Sequence, residues 1–260
     1  MSTPSSPRVT VAIPTRNRAD MLRGCIQSVL DQTFTDFEVV VSDNASTDNT
    51  EEVVGSFQDP RIHYSPLDSN IGLWGNLSRC FRLGTAPYVC ILPDDDYMLP
   101  LNLERKSESL DRNPEVGMVH SAFQLLMVYP DQTEELRENV DHVHGSVDRI
   151  DPGDAVIRSL LTEAYFLNFS GAVIRRSVVA DEQFDGDEGA AADLGVCLRI
   201  ARKAAVAYLA EPLVVYRLHP GAGSVQDGVW EFETGTYGPT LASIAQTKRP
   251  KERFPCKVRP

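Results

Sequence analysis

Short apolar runs alternate with segments of helical periodicity through the first hundred residues of the chain. The runs are β-branched or almost wholly apolar and predict strands at residues 8–13, 37–41, 61–64 and 88–92. The intervening segments predict helices at residues 18–30, 46–57 and 72–83. Because strands separated by helices need crossover connections, the pattern predicts an α/β fold with a mainly parallel sheet flanked by helices.

Polar residues with short side chains follow the first, second and fourth predicted strands, at residues 14–18, 42–48 and 93–96. Ligands of parallel α/β sheets bind beyond the carboxyl ends of the strands, so these residues form the candidate site. The sequence has neither the glycine-rich dinucleotide fingerprint after the first strand nor a phosphate-binding P-loop, which argues against both of those nucleotide-binding classes.

Three consecutive carboxylates, Asp94, Asp95 and Asp96, follow the fourth predicted strand. Neighbouring carboxylates repel one another, so a cluster beside a buried strand calls for a compensating cation or for solvent. Mg²⁺ and Mn²⁺ prefer oxygen ligands, and Mg²⁺ is often held by one or two carboxylates together with substrate phosphates. The alternative is an acidic turn that caps the next helix.

Asp43 ends the second predicted strand. An acid at such a position accepts hydrogen bonds from the ribose in dinucleotide folds, and it is equally suited to an Asx turn or a helix cap. The residue alone leaves both roles open.

Charge separates the main part of the chain from its end. The net charge is −12, which disfavours broad nucleic-acid binding because an acidic surface repels phosphate backbones. Residues 247–260 nevertheless hold six basic residues and one acid. Two interpretations of this basic tail stay open: a solvated segment, or one that docks on an anionic lipid surface or an acidic partner.

The sequence carries no targeting signal that we can identify. No apolar run approaches the roughly 18–20 residues that span a bilayer, and residues 1–8 are polar with no signal-peptide core behind them. The five cysteines are far apart and form no CxxC pair, so neither a disulfide framework nor a zinc knuckle is predicted. We therefore expect a cytoplasmic protein, with peripheral contact at the inner membrane face through the basic tail as an option.

Taken in order, the motifs closely resemble family 2 glycosyltransferases of the GT-A fold over about residues 8–224. The segments that carry the resemblance are VAIPTRNR at 11–18, VVVSDNASTDNT at 39–50, NIG at 70–72, YVCILPDDDYMLP at 88–100, SGAVIRR at 170–176, DLGVCLRIA at 193–201 and EPLVVYRLH at 211–219. The fold that this resemblance implies is a mainly parallel, Rossmann-like sheet flanked by helices, with an acceptor-side subregion.

The resemblance implies an inverting, metal-dependent transfer of a sugar from a nucleotide-diphosphate donor to an acceptor hydroxyl. It implies Asp193 as the general base and Mg²⁺ or Mn²⁺ as the cofactor, held by Asp96, Asp94 and His219. The donor, of the UDP, GDP or dTDP type, is then expected to contact Pro14, Thr15, Arg16, Asp43, Asn70, Asp94, Asp95 and Arg217. Single displacement needs one base, and the leaving diphosphate needs positive charge nearby.

Among the departures from the family pattern, two concern the catalytic and metal-binding residues. Ala192 stands where a Glu is common before the base, and Asp187 or Glu188 is a candidate substitute. Pro93 stands where an Asp is frequent, so we expect Asp96 to be the main metal ligand. Asp193 is also suited to capping the helix that follows it.

The predicted organisation is one domain at residues 8–225, after a disordered tail at 1–7 and before a C-terminal extension with the basic tail at 226–260. Residues 8–100 form the nucleotide-sugar half and 101–225 the acceptor and catalytic half. Acceptor specificity is expected in segments 131–148 and 162–170. In the second segment Tyr165, Phe166 and Phe169 are either sugar-stacking platforms or core residues, and Trp74 poses the same choice.

Two further functions stay open on the sequence. A sugar nucleotidylyltransferase uses a similar sheet but has a glycine- and arginine-rich phosphate loop that residues 14–18 do not provide. A non-catalytic nucleotide-sugar-binding protein on a decayed fold is the other. The sequence names neither the donor nor the acceptor; a surface glycan or a glycosylated metabolite is the expected product.

Overall fold

The computed structural model describes residues 6–137, 145–162, 167–184, 186, 192–222, 230–231 and 236–237. In the first half, four strands pair with one another in parallel, in the order β3-β2-β1-β4. These strands are β1 (Val9–Thr15), β2 (Phe37–Asp43), β3 (Ile62–Pro66) and β4 (Tyr88–Ile91). All residues of β1, β2 and β4 are buried, as expected of strands covered on both faces.

The second half joins the first through a short antiparallel strand. That strand, β9 (Val173–Arg175), pairs with β4 on one side and with β6 (Val116–Val128) on the other. β10 (Ala205–Leu218) lies parallel to β6. Three short strands pair antiparallel to this half: β5 (Tyr97–Met98) and β8 (Arg149–Asp151) on β10, and β7 (Glu134–Arg137) on β6. A separate ribbon pairs β11 (Trp230–Glu231) with β12 (Thr236–Tyr237).

Helices cover both faces of the sheet. They are α1 (Ala19–Leu30), α2 (Thr50–Gly55), α3 (Leu73–Cys80), α4 (Asn102–Arg112), α5 (Gly153–Thr162), α6 (Arg176–Val179) and α7 (Ala192–Ala201). One core joins α1 to Val11 and Ile13, and another joins α5 and α7 to Ala12 on the opposite face. Alternate residues of β1 therefore serve two separate cores, which is the period-2 geometry of a strand.

The predicted fold class is confirmed, and most element positions agree with the sequence. Two starting positions differ by four residues or more. The helix expected from residue 46 begins at Thr50, because the preceding polar side chains satisfy turn hydrogen bonds instead. The closing strand that the family resemblance implies at residues 211–219 begins earlier, at Ala205, and continues past an irregularity at Pro212.

The aromatic residues considered as stacking platforms pack against one another. Trp74 stacks on Phe184 with ring centroids 6.1 Å apart, and Phe169 meets Phe184 edge-on at 5.5 Å. These contacts favour the core interpretation for both residues. Tyr165, Phe166, the basic tail and residues 1–5 lie outside the described part of the chain.

Candidate active site

The carboxyl ends of β1 and β4 bring the loop at residues 14–18 against the acid cluster, Asp94–Asp96. Because Ala12 pairs with Ile91, the two strands end side by side. Thr15 Oγ1 donates a hydrogen bond to Asp94 Oδ2 at 2.7 Å, and both side chains are buried. Two of the predicted site residues thus meet where the sheet geometry requires.

An arginine, a histidine and a backbone N–H surround the acid cluster. Arg18 Nη1 donates to Asp94 Oδ1 at 3.2 Å and to Asp95 Oδ2 at 2.9 Å. His219 Nε2 lies 3.2 Å from the same Asp95 oxygen. The backbone N–H of Arg217 donates to Asp96 Oδ1 at 2.8 Å. The end of β10 therefore closes the cluster from the side opposite β1.

The three carboxyls differ in their electrostatic environment. Burial and the neighbouring charge of Asp95 raise the pKa of Asp94 to about 6. Burial and Asp95 likewise raise the pKa of Asp96 well above its usual range. For Asp95, burial is outweighed by the hydrogen bond with His219 and the charge of Arg18, so its pKa falls below its ordinary value. The cluster concentrates more negative charge than its surroundings neutralise.

An unsatisfied carboxylate oxygen suits a cation at this cluster. Asp96 is 1% exposed, and its Oδ2 has no hydrogen-bond partner of good geometry; the nearby Ser170 hydroxyl lowers the pKa of Asp96 without offsetting burial. Within the described ranges, however, no three His, Cys, Asp or Glu side chains are grouped so as to hold a metal. The expected set Asp94, Asp96 and His219 is thus not a ready cage, and His219 faces Asp95. A hard cation would need ligands from phosphate or water as well.

Arg217, predicted to contact the diphosphate, sends its guanidinium away from the acid cluster. Nη1 donates to the Tyr97 hydroxyl at 3.0 Å, and Nη2 reaches Glu134 Oε1 at 3.4 Å. The contribution of Arg217 to the cluster is its backbone N–H. A sequence motif shows which residue type ends a strand, but not which way a long side chain turns.

Asp43 makes the hydrogen bonds of a turn, one of the two roles that the sequence left open for it. Oδ1 accepts hydrogen bonds from the backbone N–H and the hydroxyl of Ser46, and Oδ2 accepts one from the Tyr64 hydroxyl. Burial and this bond raise the pKa of Tyr64. The carboxylate is 2% exposed, so a base or ribose contact would have to share these lone pairs.

The remaining donor-pocket candidates lie at the same edge. Asn70 Oδ1 accepts from Asn44 Nδ2 at 2.8 Å and from the Gly72 backbone N–H, which ties together the loops after β2 and β3. Pro14 is buried, and Arg16 is exposed beside Asn17, whose backbone has φ +53°. These positions agree with a pocket formed by strand ends.

Sequence reasoning missed residues that shape this edge by pairing with its loops. Arg79 donates to Ser42 Oγ at 2.6 Å and to Ser65 O at 2.9 Å, which joins α3 to the ends of β2 and β3. Asp48 accepts from the Ala19 backbone N–H, so it caps α1 from a different loop. The basic residue in α3 was visible in the sequence, but its partners are distant in the chain.

Asp193 lies in the first turn of α7, half-buried, and its Oδ1 accepts from the Leu194 backbone N–H at 2.7 Å. Ala192 beside it is fully buried in the core shared with α5. An apolar residue in place of the usual acid is therefore explained by packing, since a carboxylate there would be desolvated without a partner. Asp187 and Glu188, the candidate substitutes, lie outside the described residues.

The family model described as "Glycosyl transferase family 2" matches residues 10–182, which include the acid cluster and the loop at 14–18 but not the end of β10. The chain belongs to this family. It is 38% identical over 97 residues to the GalNAc(5)-diNAcBac-PP-undecaprenol beta-1,3-glucosyltransferase of Campylobacter jejuni. That match covers 36% of this chain and 31% of the relative, so it concerns about a third of each protein.

Solved structures share the GT-A architecture at low identity. S. aureus TarS 1-349 in complex with UDP-GlcNAc has a TM-score of 0.64 and 16% identity, with 92% of this chain and 66% of that chain covered. The mannosyltransferase PcManGT from Pyrobaculum calidifontis, in complex with GDP-Man and Mn²⁺, has a TM-score of 0.61 and 19% identity, with 94% and 69% covered. At these identities the likeness establishes the fold of this family 2 member.

Proposed function

We propose that the protein is an inverting, metal-dependent glycosyltransferase that moves a sugar from a nucleoside diphosphate donor to an acceptor hydroxyl. The observation that carries this proposal is the buried acid cluster at the carboxyl edge of a family 2 chain, with Asp96 Oδ2 lacking a hydrogen-bond partner. The neighbours that hold UDP-GlcNAc, or GDP-Man with Mn²⁺, support a nucleotide-sugar donor and a divalent cation here.

The proposed catalytic base is Asp193. A single displacement requires one group to accept the acceptor's proton on the face opposite the leaving diphosphate, and a carboxylate suffices. Asp193 begins a helix whose apolar side is anchored in a core, so its backbone is held firmly. Such anchoring favours the fixed geometry that a base needs.

Mg²⁺ or Mn²⁺ bound by Asp96, with Asp94 beside it, would neutralise the charge that develops on the leaving diphosphate. The protein's own groups prepare these ligands. The Arg217 backbone N–H holds one oxygen of Asp96, and Thr15 holds one oxygen of Asp94. The proposed donor contacts are Pro14, Thr15, Arg16, Asp43 and Asn70, since their loops form the edge beside the cluster.

A nucleotide-binding screen tests this proposal. Thermal shifts are measured with UDP, GDP, dTDP and CDP, each with and without Mn²⁺, on the wild type and on Asp96→Asn. Asp154→Asn, on the exposed first turn of α5, is the matched control. We expect one nucleotide to stabilise the wild type and the control only when metal is present, and to lose that effect in Asp96→Asn. Equal shifts in all three proteins would contradict the role of the acid cluster.

The acceptor is proposed to be a hydroxyl of a surface glycan or of a small metabolite. Among the helices in the described ranges, none has the length and apolarity that crossing a bilayer demands. Peripheral membrane contact through residues 247–260 stays a prediction. Co-sedimentation of the full chain with anionic vesicles, compared with neutral ones, would test it.

A further inference from the structure

One side chain connects three loops around the acid cluster. Arg18, the residue before α1, reaches Asp94 and Asp95 through Nη1, while its Nη2 donates to the Gly221 carbonyl at 3.3 Å. Its side chain is 35% exposed, whereas those of Asp94 and Asp95 are 6% and 14% exposed. The guanidinium therefore sits at the solvent side of a largely buried carboxylate pair.

The position of this guanidinium conflicts with a divalent cation on the same carboxylates. One nitrogen of Arg18 lies within hydrogen-bond distance of oxygens on both Asp94 and Asp95. A divalent ion that approached the same oxygens would meet a fixed positive charge a few ångströms away, and buried charges are poorly screened. Arg18 therefore competes with a metal ion for the cluster.

A nucleoside diphosphate removes this conflict. Its phosphates supply oxygens to the metal and offer an anionic partner to a guanidinium, whose planar fork suits phosphate. Among the described residues, Arg18 and His219 contact the cluster with their side chains, whereas the Arg217 guanidinium bonds Tyr97 and Glu134 and leaves its buried Nε without a partner. Arg18 is thus the arginine whose guanidinium already lies against the cluster, beside the proposed metal ligands.

We propose that Arg18 is the internal counter-ion of the acid cluster and exchanges Asp94 and Asp95 for the donor diphosphate when metal and nucleotide bind together. This inference rests on the proposed function and adds a determinant of donor binding to it. The exchange makes metal and nucleotide binding mutually dependent: metal alone competes with Arg18, and nucleotide relieves the competition. It also releases the contact between Arg18 and Gly221 in the loop after β10.

Titration of binding, without turnover, tests the exchange. The dissociation constants of Mn²⁺ alone, by electron paramagnetic resonance, and of the preferred nucleoside diphosphate with Mn²⁺, by calorimetry, are compared between the wild type and Arg18→Met. We expect Arg18→Met to bind Mn²⁺ alone about tenfold more tightly and the nucleotide with Mn²⁺ about tenfold more weakly, within the range usual for coupled sites. Arg18→Lys keeps the charge but lacks the planar guanidinium. Both of its dissociation constants should lie between those of the wild type and those of Arg18→Met.

Two further variants separate this role from general charge effects. Arg23→Met lies on the exposed side of α1, where Arg23 bonds Ser56, and should leave both constants unchanged. Arg217→Met should weaken nucleotide binding less than Arg18→Met does. Unfolding curves establish that each variant is folded.

The outcomes separate a failure of the role proposed for Arg18 from a failure of the proposed function. Wild-type binding of metal and nucleotide with unchanged constants in Arg18→Met would overturn the role of Arg18 alone. A larger loss in Arg217→Met would assign the diphosphate to Arg217 and likewise overturn it. A wild type that binds neither Mn²⁺ nor any nucleotide would contradict the proposed function, and the inference with it.

Discussion

Several titratable side chains of this protein are almost completely buried. Asp96, Asp94 and Lys106 are each at most 4% exposed. The Nζ of Lys106 donates a hydrogen bond to the Gly171 carbonyl at 2.8 Å. Such residues cost free energy in the folded state unless they serve a site or hold a turn in place. The ionisation of such residues should therefore be measurable through the pH dependence of stability.

Asp193→Asn tests the catalytic base. The amide keeps the size of the side chain but does not accept a proton, so we expect kcat to fall about 10²- to 10⁴-fold. Donor affinity, measured by calorimetry with Mn²⁺, should stay within error of the wild type because Asp193 is assigned to the acceptor proton. Near-normal turnover in this variant, with Asp154→Asn as the control, would contradict the assignment.

Lys106→Met tests the buried ammonium. Burial lowers the pKa of Lys106 to about 7, below the roughly 10.4 of an unfolded chain. Between these values the unfolded state binds more protons, so the free energy of unfolding rises with pH across that window. Between pH 7 and pH 9 the wild type should gain about 2 kcal/mol more stability than Lys106→Met.

Urea unfolding at three pH values between 7 and 9 checks the effect of Lys106. The comparison with the variant cancels contributions from other titrating groups, since those groups are present in both proteins. Parallel stability curves for the two proteins would show that Lys106 stays charged in both the folded and the unfolded state.

At the next level of organisation, helix and strand boundaries follow polar contacts as much as periodicity. The strands at 9–13, 37–41 and 88–91 were predictable because two-sided burial makes them almost wholly apolar, with Thr10 and Glu38 as buried exceptions. The predicted start of helix α2 is too early. The carboxylate oxygens of Asp43 and Asp48 accept turn hydrogen bonds, so no helix begins at residue 46. Side chains that bond their own backbone compete with helix formation.

Gly153→Ala tests the contact between α5 and α7. A Cβ on Gly153 would lie 1.8 Å from the Ala201 carbonyl oxygen, and backbone there has little room to move. We expect a loss of about 1–3 kcal/mol of stability, as for other overpacked sites. Gly55→Ala, where a Cβ meets nothing within 4 Å, is the control and should be neutral or slightly stabilising in thermal unfolding. Equal melting temperatures for the two variants would contradict this packing.

Across the molecule, the two halves of the sheet are joined by β9 and by the arginine that follows it. Arg176 donates to three groups in the first half: Ala86 O at 2.6 Å, Phe81 O at 2.8 Å and Thr10 Oγ1 at 2.9 Å. Burial lowers the pKa of its guanidinium. This residue belongs to the family motif, yet its role is to tie the halves together.

Arg176→Met should destabilise the whole domain by about 2–4 kcal/mol, since it leaves buried carbonyls without charged donors. The transition in urea is expected to stay single, because both halves share one sheet. Arg202→Met, on an exposed residue after α7, is the matched control. A second transition would show that the halves unfold separately once Arg176 is replaced, and a loss no larger than in the control would show that other contacts couple them.

The order of elements, the candidate edge of the sheet and the family resemblance were readable from the chain because they depend on local periods of two and 3.6 residues and on motifs in sequence order. The partners of long polar side chains were not. Arg18 meets Gly221 across 203 positions, and Arg217 turns to Tyr97 instead of the acid cluster. Local periodicity carries no information about such pairs, because packing of distant segments sets which charges share a buried space.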